Sequence, residues 1–419
     1  MRVIVIGLGY IGLPTAAILA SRGISVLGVD CNQSVVETVN QGQIHIVESG
    51  LDSLVETAVD SGYLRATVTP ERGDVFMIAV PTPFKGTHEP DLSYIESAAK
   101  AIAPVLQKGN MVILESTVPV GATEKLMQWL QLDRPDLVFP VSDEKGGAVD
   151  ITIGHCPERV LPGHVVRELV ENDRVIGGIT KQCAERIQGF YKIFVQGDCL
   201  LTNCRTAELC KLVENSFRDV NIAFANELSL IADKLDVNVW ELIKLANHHP
   251  RVNILQPGPG VGGHCIAVDP WFIVDSAPNE SKLIHVARLV NDSKPDFVLE
   301  KIEQAALNIG KEKASLSIAC LGLAFKPNID DLRESPAMKI AKRIEGLGFS
   351  KQYLVEPNIN AIPEVFDVKS TELINLEAAM AKVDIVVLLV DHTAFKEMDL
   401  SLLSGKQVVD TRGLFDNYN

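Results

Sequence analysis

One cysteine stands in an unusually glycine-rich stretch, GPGVGGHCIAVDP, at residues 258–270. Gly262 and Gly263 carry no Cβ atom, so we expect a substrate to approach the backbone there, and their N–H groups can stabilise a thiolate or an oxyanion. Asp269 follows Cys265 by four residues, near enough to orient a water molecule. An isolated cysteine usually serves as inert packing, but this local composition favours a nucleophile.

A second set of polar residues falls on one face of a predicted long helix. Lys211, Asn215 and Arg218 stand at i, i+4 and i+7, a spacing that places side chains on the same face. The helix is predicted over roughly 205–235, where apolar residues recur at three- and four-residue steps. The polar triplet fits either an ordinary solvated face or the wall of a ligand cleft.

A further acid and base follow the apolar run DITIGH, in the segment CPER at residues 156–159. Glu158 and Arg159 would lie at the end of a predicted strand, where ligands of α/β proteins commonly bind. An ordinary salt bridge is the alternative interpretation of this pair.

The chain opens with a strand, a glycine turn, a helix and a second strand. RVIVI at residues 2–6 is typical of a strand buried on both faces, and GLGYIG follows it directly. Gly7 permits the tight turn, Gly9 lets the backbone approach a pyrophosphate, and Gly12 lets the helix pack on the strand. Asp30 ends the second strand, where a carboxylate binds a ribose 2′-hydroxyl and repels a 2′-phosphate, which favours NAD over NADP. A glycine-rich turn in some other α/β domain is the alternative.

The apolar runs continue as strands, and the fold class is α/β. Thr82 and Thr117 follow two of these runs at predicted strand ends, where each either contacts a ligand or caps a turn. A second α/β set starts at SLSIACLGLAF and lacks GxGxxG. We therefore predict two Rossmann-like doubly wound domains, at residues 1–200 and 309–419. A central helical domain with a long connector helix joins them, at residues 201–308.

Composition limits the classes of partner. A chain of 419 residues with 47% hydrophobic residues is globular, and its net charge of −15 argues against nucleic acid and anionic membranes as partners. Eight scattered cysteines without a CxxC pair indicate reduced thiols in the cytoplasm, and glycines interrupt the apolar N-terminus before it reaches the length of a membrane span. His248, His249 and His264 have no carboxylate or cysteine spacing that completes a site, so we expect no metal.

Taken together, the motifs resemble those of the NAD-dependent nucleotide-sugar 6-dehydrogenases. Nearly the whole chain takes part in this resemblance, which rests on GLGYIGLP, VPTPF, ESTVPVG, CPERVLPG, AELCKLVENSFRDVNIAFANE, GPGVGGHCIAVDP and GLAFKPNIDDLRESP, in family order. The resemblance implies oxidation of a primary alcohol to a carboxylate with two NAD⁺ for each sugar. It also implies a homodimer formed through the long helix.

Six catalytic positions are carried over from the family: Cys265, Lys211, Asn215, Asp269, Glu158 and Thr117. Cys265 would capture the aldehyde intermediate as a thiohemiacetal and then hold a thioester, because sulfur both attacks a carbonyl and leaves from a thioester readily. Lys211 would stabilise the oxyanion and Asn215 would help to hold it or its water. Asp269 would orient or activate water, while Glu158 and Thr117 would assist in roles that stay open.

The remaining carried-over positions bind ligands. Those for NAD are Gly7, Gly9, Tyr10, Ile11, Gly12, Asp30, Thr82, Thr123 and Arg333. Those for the UDP-sugar are Arg159, Val160, Lys211, Asn215, Arg218, His249, Arg251, Gly262 and Lys326, with Arg251 reaching the site of the neighbouring subunit. Arg and Lys suit a diphosphate by charge and geometry.

The sugar is indicated by one departure from the UDP-glucose pattern. PERV stands where that branch has a PEFL-type segment, and PERVLPG, NDRVIGG and HPRVNILQPGPGVGGHC are similar to the acetamido-sugar branch. This implies oxidation of UDP-N-acetyl-D-mannosamine to its uronate, for a surface polysaccharide such as enterobacterial common antigen. UDP-N-acetylglucosamine and UDP-glucose are the alternative substrates. A two-electron β-hydroxyacid dehydrogenase and a non-catalytic NAD-sensing scaffold are the alternative functions.

Overall fold

The computed structural model describes residues 1–141, 149–161, 163–263 and 265–415, so His264 lies outside the described residues. The chain divides into two units, Met1–Glu214 with Asp275–Ala277, and Asn215–Val274 with Pro278–Asn419. One helix, α8 (Cys204–Lys234), begins in the first unit and ends in the second.

The first unit alternates strands with helices. Its strands are β1 (Arg2–Ile6), β2 (Ser25–Val29), β3 (Leu64–Thr67), β4 (Val75–Ile78), β5 (Phe84–Lys85), β6 (Glu89–Pro90), β7 (Met111–Leu114), β8 (Thr152–His155), β9 (Arg174–Gly178) and β10 (Cys199–Asn203). Its helices before α8 are α1 (Gly12–Ser21), α2 (Gln33–Asn40), α3 (Leu51–Asp60), α4 (Ser93–Ile102), α5 (Ala122–Asp133), α6 (Val165–Glu171) and α7 (Lys181–Tyr191).

Eight of these strands form one sheet in the order β10-β9-β8-β7-β4-β1-β2-β3. β8 and β9 pair antiparallel, and the other pairings are parallel. In β1, Val3 and Val5 enter one apolar core while Ile4 and Ile6 enter another on the opposite face. The all-apolar sequence of this strand therefore reflects burial on both faces, as parallel sheets covered by helices require.

The second unit combines long helices with a smaller parallel sheet of order β13-β12-β11-β14-β15. Its strands are β11 (Ser317–Leu321), β12 (Lys351–Val355), β13 (Thr371–Leu373), β14 (Ile385–Leu388) and β15 (Gln407–Asp410). Its helices, besides α8, are α9 (Val239–Ala246), α10 (Asp269–Ser276), α11 (Lys282–Ile309), α12 (Pro336–Ile344), α13 (Leu376–Met380) and α14 (Thr393–Lys396). Ile318 and Cys320 face one core and Ala319 and Leu321 the other, so β11 repeats the two-sided burial of β1.

The predicted fold class is confirmed: two Rossmann-like sheets with a helical segment between them in sequence. The long helix predicted over roughly 205–235 runs from Cys204 to Lys234. Asn203 caps it, because its Oδ1 accepts a hydrogen bond from the Thr206 N–H at 2.9 Å. No helix among the described residues is both long and apolar enough to cross a bilayer.

Candidate active site

The glycine turn after β1 distinguishes its three glycines by what surrounds them. Gly7 has φ +91°, and a Cβ there would lie 2.5 Å from the Ala79 carbonyl oxygen. A Cβ on Gly12 would lie 1.8 Å from the Gly7 oxygen, so both positions are closed by the protein itself. The corresponding space at Gly9 is open to beyond 4 Å. The turn therefore fits a dinucleotide that approaches the backbone at Gly9, with Tyr10 and Ile11 half-buried beside it.

Asp30 is tied to this turn by its own hydrogen bonds. Its Oδ2 accepts from the Leu8 N–H and its Oδ1 from the Asn32 N–H, each at 2.9 Å. The sequence predicted only a ribose contact for this carboxylate. In the structure it also fixes the backbone of the turn that would receive a pyrophosphate.

Thr82 and Thr117 meet beyond the carboxyl ends of β4 and β7. The Thr82 hydroxyl donates to the Thr117 carbonyl oxygen at 2.5 Å. The two predicted contact residues thus share one edge of the first sheet with the glycine turn, since adjacent parallel strands end at the same edge.

Thr123 has a different environment, at the start of α5. It is fully buried, and both its N–H and its hydroxyl donate to Glu208 Oε1, at 2.7 and 2.6 Å. The other oxygen of Glu208 accepts from the Gly121 N–H at 2.6 Å. Glu208, on α8, therefore caps α5 from a distance, and burial raises the pKa of its carboxyl despite these three donors.

Lys211 and Glu158 form a buried ion pair in the first unit. Their Nζ and Oε1 atoms lie 3.2 Å apart, with the residues 6% and 9% exposed. Glu158 Oε2 accepts from the Val160 N–H at 3.0 Å, which fixes the carboxylate. Because this ion pair is buried, it argues against the alternative interpretation, in which Lys211 belongs to an ordinary solvated helix face.

Arg159 lies beside this pair and is bound to Glu214. Its Nη2 is 2.6 Å from Glu214 Oε1. Sequence reasoning assigned Arg159 to the substrate and missed Glu214, whose position three residues after Lys211 on α8 places it on a neighbouring part of the helix surface.

In the second unit, Asn215 and Asp269 are joined. The Asn215 side-chain amide donates to Asp269 Oδ2 at 2.5 Å, and Asp269 is 3% exposed. The Asp269 N–H donates to the Cys265 carbonyl oxygen at 2.9 Å, closing the turn that leads into α10. Cys265 itself is exposed. The structure thus connects three predicted catalytic residues through one side-chain and one backbone hydrogen bond.

The glycines before Cys265 differ from expectation in what they accommodate. A Cβ on Gly262 would lie 2.7 Å from both the Glu334 carbonyl oxygen and Pro336 Cδ, and one on Gly263 would lie 3.2 Å from the Phe325 ring. Gly263 also has φ +82°. The absent side chains make room for the chain's own segment 325–336, because the two segments pack in direct contact.

The remaining predicted ligand contacts lie in the second unit. Arg218, His249 and Arg251 are exposed, and the Arg251 N–H donates to His249 Nδ1 at 3.3 Å. Lys326 is half-buried in the segment that packs on Gly262, and exposed Arg333 pairs with Asp331 at 2.6 Å.

A buried polar cluster beneath the strand ends of the first unit was missed by sequence reasoning. The Tyr191 hydroxyl donates to Glu115 Oε1 at 2.6 Å, and the Arg174 guanidinium lies 5.6 Å from the Tyr191 ring centre. Burial raises the pKa of Glu115, and it raises the pKa of the Cys156 thiol to about 12. Cys156 is therefore inert at neutral pH. Of the eight cysteines, Cys31 and Cys265 are exposed.

Three domain profiles of one family cover the chain in order. They are the NAD binding domain over residues 1–195, the central domain over 205–293 and the UDP binding domain over 319–417. The chain belongs to the UDP-glucose/GDP-mannose dehydrogenase family. It is accordingly an NAD-dependent nucleotide-sugar dehydrogenase.

Individual members of the family are similar over nearly their full length. A UDP-N-acetyl-D-mannosamine dehydrogenase of Campylobacter jejuni is 62% identical over 95% of this chain and 97% of its own. An NDP-N-acetyl-D-galactosaminuronic acid dehydrogenase of Ralstonia nicotianae is 61% identical over 98% of this chain and 95% of its own. The structure of UDP-D-ManNAc dehydrogenase from Pyrococcus horikoshii matches with a TM-score of 0.88 and 38% identity, over 99% of this chain and 96% of the other.

A metal site would need several histidine, cysteine or carboxylate side chains close together. Across the parts of the chain that the structure describes, no three of these side chains are grouped as metal ligands would be.

Proposed function

We propose that this chain oxidises UDP-N-acetyl-D-mannosamine at C6 to the uronate by four electrons, through covalent intermediates on Cys265. The observation that carries the proposal is the turn from Cys265 to Asp269, with an exposed thiol at one end and a buried carboxylate bound to Asn215 at the other. A thiol, a fixed carboxylate and an amide donor are the groups that thioester formation and hydrolysis require.

The proposed oxidation consists of two hydride transfers followed by one hydrolysis. NAD⁺ supplies the hydride acceptor for both oxidations, so two NADH form for each sugar. The C6 alcohol loses a hydride and a proton to give the aldehyde, and the Cys265 sulfur adds to it to give a thiohemiacetal. Loss of a second hydride and proton gives the thioester, and water releases the carboxylate and regenerates the thiol.

Lys211 and Glu158 handle charge at the oxygen of C6. The buried ammonium stabilises the negative charge that develops on this oxygen when its proton leaves or when sulfur adds to the carbonyl. Glu158 Oε1, 3.2 Å from the Lys211 Nζ, orients the ammonium group.

Asn215 and Asp269 serve the hydrolysis. The amide of Asn215 holds the Asp269 carboxylate in one orientation, and this carboxylate directs a water molecule at the thioester carbon. Thr117, whose carbonyl receives the Thr82 hydroxyl, assists at the edge of the first sheet together with Thr82.

Ligand binding follows the two Rossmann-like folds. The glycine turn with Tyr10, Ile11 and Asp30 holds NAD, and Thr123 and Arg333 stay proposed NAD contacts. Basic residues hold the UDP diphosphate against a net charge of −15. The proposed sugar-nucleotide contacts are Arg159, Val160, Arg218, His249, Arg251, Gly262 and Lys326. We retain 1–200, 201–308 and 309–419 as the proposed NAD-binding, central and UDP-sugar-binding domains.

A second acetamido sugar, with the galacto configuration, is also a candidate substrate. Similar proteins carry names that refer to both N-acetylmannosamine and N-acetylgalactosaminuronic acid. We favour the manno sugar because relatives from several genera at 57–62% identity carry that name, and its uronate would then enter a surface polysaccharide. None of the eight cysteines forms a disulfide, which supports the cytoplasm as the compartment.

A panel of UDP-sugars tests the proposal. Purified protein with NAD⁺ is given the UDP derivatives of N-acetylmannosamine, N-acetylgalactosamine, N-acetylglucosamine and glucose, and NADH is counted for each sugar consumed. We expect the highest kcat/KM with the N-acetylmannosamine derivative and two NADH per sugar. Faster turnover of another sugar overturns the choice of substrate, and one NADH per sugar overturns the four-electron chemistry.

We also infer a homodimer formed through α8. The helix exposes an apolar stripe, with Phe217 71%, Phe224 52% and Ile231 48% exposed. Their seven-residue spacing aligns them along one face, which is the arrangement by which two identical helices bury each other.

A further inference from the structure

A chain of buried polar side chains connects α8 and α11 to the start of the cysteine loop, by which we mean residues 258–263 together with Cys265. Asp219 and Asn226 come from α8, and Arg288 and Asn291 from α11. All four are at most 1% exposed. Such groups are rarely buried so completely without a positional role, because each must be matched to a partner.

From Gly258 through Asn226 and Asn291 to Asp219, each group donates a hydrogen bond to the next. Arg288 Nη1 donates to Asp219 Oδ1 at 2.6 Å, and Asn291 Nδ2 donates to the same oxygen at 2.8 Å. Asn226 Nδ2 donates to Asn291 Oδ1 at 2.8 Å. Asn226 Oδ1 then accepts from the Gly258 N–H at 2.9 Å.

The carboxylate at one end sets this direction. An ionised aspartate can only accept, so Asn291 must turn its NH₂ group toward Asp219 and its oxygen toward Asn226. Asn226 must then turn its NH₂ group toward Asn291, which leaves its oxygen for Gly258. A reversed Asn226 would set an N–H donor against the Gly258 N–H, so the network admits one arrangement.

The other side of the cysteine loop is held by packing. A Cβ on Gly260 would lie 2.9 Å from Pro336 Cβ, and Gly262 meets Pro336 and the Glu334 oxygen. The loop therefore has little room to shift along this side. Its N-terminal end is held by the hydrogen bond from the Gly258 N–H to Asn226 Oδ1, and a Cβ on Gly258 would lie 2.8 Å from Arg412 Nη1.

We propose that Asn226 is a positioning residue for the nucleophile: it fixes the start of the loop that carries Cys265, and the Asp219–Arg288 pair fixes the orientation in which it does so. The inference rests on the proposed role of Cys265, and it concerns residues outside the proposed reacting groups. Loss of the anchor lets the loop move away from the geometry in which sulfur reaches the C6 carbon, which lowers kcat while the NAD turn in the first unit is unchanged.

The test compares Asn226→Ala with Asn110→Ala. Asn110 is a matched control, because it is also buried and also bonds backbone groups, accepting from the Gln107 N–H at 2.7 Å and donating to the Gly73 oxygen at 2.8 Å. Both variants are made in a Cys31→Ser background, and Cys265 reactivity is measured as the rate of alkylation by iodoacetamide.

For Asn226→Ala we expect kcat to fall at least tenfold, the alkylation rate of Cys265 to change at least threefold, and the Kd for NAD⁺ to stay within twofold. Asn110→Ala is expected to lower thermal stability but to leave kcat and alkylation within twofold. Equal effects of the two variants on kcat and alkylation overturn the proposal. Alkylation does not depend on the thioester mechanism, so it tests the positioning even if the proposed function fails.

Asn226→Asp provides a second test that survives if the alanine variant does not fold. A protonated carboxyl can accept from Gly258 and donate to Asn291 as the amide does, whereas an ionised one cannot donate. The charged groups on the packed elements that contact this network or its neighbours are Asp219, Arg288, Lys294 and Arg412. We expect the ratio of variant to wild-type kcat to rise as pH is lowered, and a ratio independent of pH contradicts the proposal.

Discussion

At the scale of single residues, exposure separates Cys265 and Cys31 from the buried cysteines. Burial raises the pKa of Cys156 and Cys320 to about 12 and also raises the pKa of Cys204, which removes these thiols from chemistry at neutral pH. Cys265 is exposed, in a turn closed by Asp269. Cys31 is exposed as well, and only Cys265 stands in the glycine-rich stretch from which we predict a nucleophile.

We predict that Cys265→Ser abolishes complete oxidation and leaves NAD⁺ binding within about twofold. Oxygen in place of sulfur attacks the aldehyde poorly and does not give a thioester, while the NAD turn lies far away in sequence at Gly7–Gly12. Steady-state NADH formation and NAD⁺ titration measure the two effects. Normal turnover in this variant would remove the covalent mechanism.

Asp30 offers a test of cofactor choice that separates charge from structure. Asp30→Asn keeps an oxygen acceptor for the Leu8 N–H but removes the charge that repels a 2′-phosphate, so we expect the NAD⁺/NADP⁺ ratio of kcat/KM to fall about tenfold or more. Asp30→Ala should lose the turn contact as well and weaken both cofactors. If the ratio is unchanged in Asp30→Asn, the carboxylate does not contact the ribose.

At the scale of elements, the two Rossmann-like folds begin with the same turn but use it differently. The Gly7 N–H donates to the Val29 oxygen, and the Gly322 N–H to the Val355 oxygen, each at 2.8 Å. In each fold an acid after the second strand accepts from the residue following the glycine.

That acid has a different second partner in the second fold. Glu356 Oε2 accepts from the Leu323 N–H at 2.7 Å and lies 3.0 Å from His392 Nε2. His392 Nδ1 accepts from the Asn328 N–H at 2.9 Å, so Nε2 carries the proton and donates to Glu356. The carboxylate that could bind a ribose is thus engaged by the chain itself, which agrees with the missing GxGxxG of this fold.

Lys294, on α11, is buried against α8, where a positive charge is unfavourable. Burial lowers the pKa of Lys294 to about 8, against the opposing effect of Asp233, and its Nζ bonds Ser229 Oγ at 2.7 Å. Between pH 8 and 10.5 the unfolded chain holds a proton here that the folded chain lacks, so stability contributed by this group rises with pH across that window.

We therefore predict that Lys294→Met changes stability in a pH-dependent way. Relative to the variant, the wild-type free energy of unfolding should increase by about 3 kcal/mol from pH 7.5 to pH 10.5, since each pKa unit corresponds to about 1.4 kcal/mol. Urea unfolding of both proteins across this range measures the difference. A difference that stays constant with pH would mean that Lys294 titrates normally in the folded state.

At the scale of the whole molecule, the apolar stripe of α8 is the feature that most needs a partner. A 31-residue helix with exposed phenylalanines at 217 and 224 is unusual on a monomer. A net charge of −15 opposes unspecific association, so the dimer that we propose requires enough apolar burial along α8 to overcome this repulsion.

We predict that the double change Phe217→Glu and Phe224→Glu converts a dimer into a monomer. The added carboxylates would face each other across the proposed interface, where their burial is unfavourable. Sedimentation velocity gives the mass, and Leu307→Glu is the control, because Leu307 is equally exposed at 71% but lies on α11. A wild-type protein that sediments as a monomer would rule out the interface.

The sequence by itself determined the features that depend on neighbours along the chain. The glycine turn, the acid after the second strand, the stripe of α8 and the order of the two α/β sets all arise from local spacing, because helix and strand periodicity is encoded within a few residues. The types of group available for chemistry were visible for the same reason.

Only the tertiary structure decided which partners those residues meet. Glu208 caps α5 across 87 residues, Asn226 anchors Gly258 across 32, and Gly262 makes room for Pro336. Such contacts depend on how distant segments pack, and their partners have no fixed spacing that a sequence pattern could reveal. The same packing leaves Cys156 buried and Cys265 exposed, which their residue type alone could not distinguish.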